Sequence, residues 1–476
     1  MFCPFVFWLI VKKYLRQQAG KKGKNLKRKI LTAVLTITIL GGILTGVVTV
    51  QAKEVRLTFN CDVAGKKEKS VIDKLLSEYT EKTGILVETV SGEADICIDD
   101  FAGVTEQYRK GSIVNLYPYM EKKSSYSRTV SWGETLPEEI REKLQSYKRE
   151  IPGYPASRSV VRMFCNEDLF EKAGVEIPNT WDEFIEICKQ FREQGMTPLI
   201  FPEKDSKSPV WQWVMNYLCS QMDLNLADSL DETEDRYVEL AEACKGTDKE
   251  IIDYTQPQMQ VALQCLKELF DLSAGNDMGY EESLKAFAQG ETPLIFATSE
   301  DDEKLKGEFL RKAVPFPAVT EETSEYAAGK QILAGGDATT FYAVNSMLID
   351  NKERLEAAVD FVRYMTSEKT QEKMAFEAGV LPSVKEITLP EEMKDFKVVE
   401  EPLRMAYFTG LDEINQTEIW SFIREYLNDE MDIAVLTERL NQSCQEAAKR
   451  IREENGWTLV NNYGMPTTGE CTKCAP

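Results

Sequence analysis

"CNEDLFEKAGVEIPNTWDEF", residues 165–184, reads as a turn, a short helix, a stop and the start of a second helix. Asn166 and Asp168 suit the turn, and Leu169 with Phe170 gives the short helix an apolar face. Gly174 fits the left-handed position that ends it, because a residue without a Cβ reaches that conformation at no steric cost. Pro178 blocks extension. Thr180 and Glu183, three apart, match a capping box that opens the second helix. Phe184, Ile187, Cys188 and Phe191 recur at helical spacing as its buried stripe, and Gly195 stops it.

Just upstream, "IPGYPASRSVVR", residues 151–162, has two prolines, a glycine and small residues ahead of β-branched ones, the composition of a strand crossing from one lobe to another. Further back, "VRLTFNC" predicts a strand. Ile72, Leu75, Leu76 and Tyr79 predict an amphipathic helix closed by Gly84. "ILVETV" and "ADICID" are further strands, the second followed by a helix around residues 104–110. Strand, helix, strand at this spacing is the grammar of a mostly parallel sheet. Downstream, Met259, Ala262, Leu263, Leu266 and Phe270 form a helical stripe, and "TPLIFA" a strand. Leu355, Ala358, Val359, Val362 and Met365 form another stripe, and Ser367 opens a helix ended by Gly379. The acidic region 228–249 reads as a solvated loop and helix face. No internal repeat is visible.

A chain of 476 residues exceeds one ordinary core, so two lobes are expected. Nine of the 57 basic residues and none of the 79 acidic ones lie in the first 52 positions, leaving 48 against 79, a balance of −31, for the rest. Such a body repels nucleic acid and anionic lipid. Histidine is absent, which removes Ser-His-Asp and Cys-His catalysis and every His-ligated zinc site. A carboxylate-pair hydrolase stays open, although no pair stands out among the acids.

Lys27, Arg28 and Lys29 precede an apolar run, residues 30–50, and Val50-Gln51-Ala52 offers small residues for a signal peptidase. This predicts a secretory leader, about 26–52, with the mature chain from Lys53. The alternative is an uncleaved anchor, since the 21 residues of that run are enough to span a bilayer. Residues 1–25 fit a leader poorly, which places the expected start near Leu26. No cysteine follows the run closely enough for lipidation; the next is Cys61. Eleven cysteines form no framework. Cys188 and Cys265 fall on apolar stripes as small hydrophobes, and Cys471 and Cys474 either close a small disulfide or stay idle.

The order of these pieces resembles the bacterial extracellular solute-binding proteins of the sugar-binding type, maltose-binding-protein-like receptors of ABC importers. The opening segment is similar to that family's Tyr-Asn-Lys-Asp-Leu-Phe run leading to Pro-x-Thr-Trp-Asp-Glu, with Cys165 in place of the tyrosine. "EYTEKTGILVE", "ADICIDDFAGVTEQYRKGSIVNL", "YEESLKAFAQGETPLIFATS" and "RLEAAVDFVRYMTSEKTQEKMAFEAGVLPS" resemble further family segments, from Val55 to about Arg450. The resemblance implies an α/β, two-lobed periplasmic-binding-protein-like fold, each lobe a mostly parallel sheet flanked by helices and joined by crossover hinge strands. The expected division is 53–157 with 297–365 for the N-lobe, 158–296 with 366–453 for the C-lobe, and a polar tail over 454–476.

It also implies a ligand between the lobes, met by polar groups at strand ends and by aromatic rings. On the family pattern the contacts are Asn60 and Asp62 after the first strand, Asp99, Asp100 and Phe101 after the third, and Tyr154 and Ser157 at the crossover. Trp211, favoured over its neighbour Trp213, and Trp420 are the expected stacking rings. Gly336 and Asp337 would bring backbone to the ligand, although a turn serves them equally well. Many relatives carry Gly-x-Trp where this chain has "FATSEDDEKL", so one stacking platform is missing.

The function implied is capture of a carbohydrate by a monomeric extracellular protein and delivery to ABC permease subunits, without cofactor, metal or catalysis. A secreted or anchored glycosidase and a ligand-presenting sensor subunit are the alternatives.

Overall fold

The computed structural model describes residues 55–465 apart from 128–129, 145–149, 203–208, 235–237, 275–277, 402 and 406–409. The leader and the Cys471/Cys474 pair lie outside the described residues. Among those described, no helix is long and apolar enough to cross a membrane.

β1 (Arg56–Asn60), β2 (Leu86–Thr89), β3 (Ile96–Asp99), β4 (Tyr154–Arg158) and β8 (Ala338–Val344) form one sheet, in the order β2-β1-β3-β8-β4. β5 (Val161–Asn166), β6 (Leu294–Thr298) and β7 (Arg311–Val314) form a second, in the order β6-β5-β7. β1 runs parallel to β2 and β3, whereas β8 opposes β3 and β4. β5 likewise opposes β6 and β7 on either side of it. Each sheet therefore has one reversed strand, the one that enters it from the crossover. The remaining strands of both sheets point their carboxyl ends at the crossover, which is where open α/β sheets hold ligands.

The helices follow their sequence signals. The stripe Ile72, Leu75, Leu76 and Tyr79 is buried on the helix Lys66–Thr83, and Gly84 ends it at φ 77°. In the opening segment Asn166 caps the helix Glu167–Ala173 by accepting from Leu169 N, and Gly174 closes it at φ 72°. Thr180 Oγ1 accepts from Glu183 N while the Glu183 carboxylate accepts from Thr180 N, a complete capping box on the helix Trp181–Glu193. Thr180→Ala leaves Glu183 N without its partner and is expected to cost about 1 kcal/mol, read as a shift in the urea midpoint at constant slope. Cys188 and Cys265 are buried in the core, and the eight cysteines described are free thiols.

Three features differ from the sequence expectation. The lobe boundaries shift: β7 lies beside β5, and Phe316, Val319 and Ile332 fill the core under the second sheet, so the chain rejoins the first sheet only at β8. Conversely the helix Glu368–Ala378 lies against the first helix, with the pairs Lys74–Glu377 and Lys373–Glu78 between them. The tail is folded as far as Met465: Tyr463 and Met465 pack with Ala241, Cys244, Ala448 and Ile451, and the Tyr463 hydroxyl meets Asp248. That packing also covers the acidic stretch, where Glu242 is 1% exposed and accepts from Thr233 N and Glu239 N. Burial raises both the Glu239 and the Glu242 carboxyls; the Glu242 hydrogen bond and charge push Glu239 further up, while the hydrogen bonds that Glu242 accepts offset part of its own rise.

Candidate functional site

β2 stops beside Phe59 and β3 starts there, so the two parallel strands are staggered along β1. A link of only six residues, 90–95, therefore suffices to join them, where unstaggered parallel strands need a dozen or more. The link crosses β1, and the residues at the end of β1 hold it. Asn60 Nδ2 donates to Gly92 O at 2.7 Å, Ser91 Oγ donates to the Asp62 carboxylate at 3.2 Å, and Thr58 N donates to Asp95 at 2.8 Å. Asn60 Oδ1 also accepts from Asp62 N. Asn60 thus spends both ends of its amide on local structure, and Asp62 stays exposed with its second carboxylate oxygen without a hydrogen bond among the described residues.

At the end of β3, Asp100 caps the helix Phe101–Arg109 by accepting from Gly103 N at 2.7 Å. Asp99 accepts from Asp100 N and from Gln107 Nε2, each at 2.9 Å, and a Cβ at 103 would collide with its carboxylate. Asn60, Asp62, Cys97, Asp99, Gln107 and Asn345 help to line a cavity of about 210 Å³ that runs along β3 from its carboxyl end back to Ala94 and Asn345 at its start. Phe101 is 48% exposed and rests on Phe341, ring centroids 5.4 Å apart. It is the open aromatic ring of the first sheet's edge.

The crossover consists of chain passages bonded edge to edge. Ser159 N donates to Asp337 O at 2.9 Å, Val161 N to Gly335 O at 2.8 Å, Ser299 N to Val160 O at 2.8 Å and Arg158 N to Leu381 O at 3.1 Å. Ser157 Oγ meets Thr339 and Thr340 hydroxyls at 2.9 and 2.6 Å. Asp337 pairs with Lys143 at 2.9 Å and remains half exposed. Gly336, at φ 153°, permits the close approach, since a Cβ there would lie 2.9 Å from Ser159 O. Tyr154 differs from expectation. It is fully buried, stacked on Trp132 at 4.3 Å and 1°, with its hydroxyl 2.6 Å from Thr135 Oγ1, so it serves the first core.

The two expected stacking rings also take core positions. Trp211 and Trp420, 1% and 5% exposed, stack on each other with centroids 4.9 Å apart and planes 25° apart. Trp211 falls in phase with Val214, Met215 and Leu218 on the buried face of the helix Val210–Met222, which leaves Trp213, two positions on, pointing elsewhere. Trp213 is half-buried beside the crossover, 5.9 Å from Tyr280 in an edge contact. The Tyr280 hydroxyl donates to Asp301 at 2.8 Å, Thr298 Oγ1 donates to the same oxygen, and Lys304 lies 3.1 Å from the carboxylate. Burial, and then the Asp301 charge, push the Tyr280 phenol well up, so it stays a neutral donor. Sequence reasoning passed over Tyr280. Its signal was its position at the start of a helix whose following strand ends at the crossover.

Across the gap, Lys67 Nζ approaches Glu303 at 3.9 Å, the first helix of one sheet reaching the segment after β6 of the other. Burial raises the Glu68 carboxyl, the Gly65 amide partly offsets this, and Glu300 from the opposite side adds to it. Rings, hydroxyls and carboxylates thus lie along the edges of both sheets. That is a set for recognising polar molecules with apolar faces. Among the described residues no group of acids and cysteines is arranged to hold a metal ion.

Comparison with known proteins agrees with this architecture. The bacterial extracellular solute-binding protein family model matches residues 74–400. A chitin oligosaccharide binding protein is similar in structure, with TM-score 0.59, 16% identity, and 83% of this chain and all of that chain covered. The bacterial solute receptor AcbH, described with an exclusive preference for b-D-galactopyranose, has TM-score 0.61 at 13% identity, covering 84% of this chain and 99% of its own. A probable secreted solute-binding lipoprotein from Streptomyces coelicolor has TM-score 0.62 at 13% identity, covering 82% and 99%. At such identities these structures speak for the fold alone. No curated protein matches by sequence. With more than half of its length in the family's pattern and both sheets feeding one crossover, the chain belongs to the bacterial extracellular solute-binding proteins.

Proposed function

We propose that the protein captures a carbohydrate between its two lobes and delivers it, as a monomer outside the cell, to the permease subunits of an ABC importer. The observation that supports this reading is the set of aromatic rings left out of the two cores, exposed Phe101 at the first sheet's edge and half-buried Trp213 with Tyr280 beside the crossover on the second, near hydroxyls and carboxylates. Sugars need that combination, rings for their C–H faces and planar polar groups for their hydroxyls. Structural neighbours include the raffinose-complexed RafE and the chitin oligosaccharide binding protein, which supports a sugar over other solutes. Asp62, Asp99 and Asp337 supply the polar rim in this reading, buried Ser157 braces the crossover through Thr339 and Thr340, and the rings expected at Trp211 and Trp420 give way to Trp213. The leader either releases the chain or holds it at the cell surface. The protein turns nothing over.

Titration of the purified protein with mono-, di- and oligosaccharides tests this. Ligand-dependent thermal stabilisation with the sugar recovered intact is the expected result. Cleavage products, or no stabilisation by any sugar, would overturn it. Trp213→Ala is expected to weaken binding at least about tenfold, ~1.4 kcal/mol, while moving the melting temperature little. An unchanged affinity would remove Trp213 from the site.

A further inference from the structure

Gly335 lies outside the left-handed region that demands glycine, yet it has no room for a side chain. A Cβ there would lie 2.8 Å from Val161 Cγ2, 3.3 Å from Trp213 Cδ1 and 3.7 Å from Trp213 Nε1. The indole therefore stands against the backbone of the returning crossover on one side. On another side it meets the edge of Tyr280, which its hydroxyl fixes to Asp301 in the second lobe. The backbone it touches is the one that bonds Val161 N, at the start of β5. One ring thus bridges a helix anchored in the second lobe and the strand connection that joins the two lobes.

We infer that Gly335 is a positioning residue for the Trp213 indole, and that their contact couples occupancy of the ring to the angle between the lobes. The inference rests on the carbohydrate reading only for what occupies the ring. Its physical basis is that close-packed groups do not compress, so turning the crossover must tilt the indole or separate it from residue 335. A ligand that holds the ring in one tilt then favours the matching lobe angle, and the lobe angle selects ligands by the same free energy. Glycine at 335 leaves the ring flush with the backbone. A methyl there would set a different tilt.

A double-mutant cycle of the parent chain, Gly335→Ala, Trp213→Phe and the double variant tests this, read first by solution X-ray scattering without sugar. With Val161→Ala in all four members, which takes the valine methyl 2.8 Å from the new Cβ out of the contest, Gly335→Ala is expected to shift the radius of gyration, and the shift should vanish in the Trp213→Phe background, where the smaller ring vacates the remaining space. Read second by titration with maltotriose and chitotriose, Gly335→Ala should weaken whichever binds about tenfold, again only when Trp213 is present. Equal shifts from Gly335→Ala in both backgrounds would overturn the inference. A coupled scattering cycle would uphold it even if no mono-, di- or oligosaccharide bound, an outcome that would sink the carbohydrate reading instead.

Discussion

Glu400→Ala is expected to destabilise the folded chain by about 3–5 kcal/mol, the largest effect of any single charge removal here. Arg162 lies at the start of β5 with its side chain 1% exposed, and its Nη1 stands 2.6 Å from Glu400 Oε1, whose side chain is equally buried. The rest of the guanidinium is used on backbone: Nε donates to Asp395 O, Nη1 to Val161 O and Nη2 to Lys397 O, each at 3.1 Å. Burial lowers the Arg162 pKa and Glu400 pulls it back up, the signature of a cation kept out of water by one counter-ion. Removing the carboxylate strands that charge. Denaturant unfolding of Glu400→Ala against Arg162→Met/Glu400→Leu separates the two components. The double variant should recover most of the loss, because a matched apolar pair does not have to be desolvated. A double variant as unstable as Glu400→Ala would show that the geometry of segment 395–401, and not the buried charge, is what the pair protects.

Trp211→Ala comes next, with an expected loss of about 3–5 kcal/mol in stability. The ring fills the second core against Trp420, and its removal leaves a hole that the neighbouring Val214, Met215 and Trp420 fill only in part. The stack itself adds about 0.5–1.5 kcal/mol beyond area. Trp211 Nε1 has no hydrogen-bond partner among the described residues, so the change also removes the desolvation cost of a buried donor, which trims the loss. Affinity for a sugar, measured on the folded fraction, should be nearly unchanged. A large affinity loss with little loss of stability would restore Trp211 to the ligand.

This contrast shows which parts of the molecule local sequence carries. Caps and stops at Thr180, Gly174, Ser367 and Gly379 were legible because each is decided within four residues. The choice between Trp211 and Trp213 was also legible in principle, since Val214 and Leu218 mark the buried face. Family pattern pulled the other way. Asn60 and Asp62 were not legible: their partners Gly92 and Ser91 arrive through strand pairing, some thirty residues away in sequence. β7 was hidden for the same reason, because only β5 makes "RKAV" a strand. Tyr463 and Glu242 were misread as polar surface because each becomes buried through a contact that composition does not reveal.

The reversed strands have a consequence for assembly. β8, which bridges β3 and β4, is supplied by residues 338–344, so a nascent chain has made seven-tenths of its length before its first sheet can be completed. Until then β3 and β4 have no strand between them, and the pairing that joins them closes loops of well over a hundred residues. Such long-range pairing is slow to form. The topology that gathers strand ends at one crossover therefore also delays the native state, and it leaves the first sheet's inner edges open until the returning strand arrives.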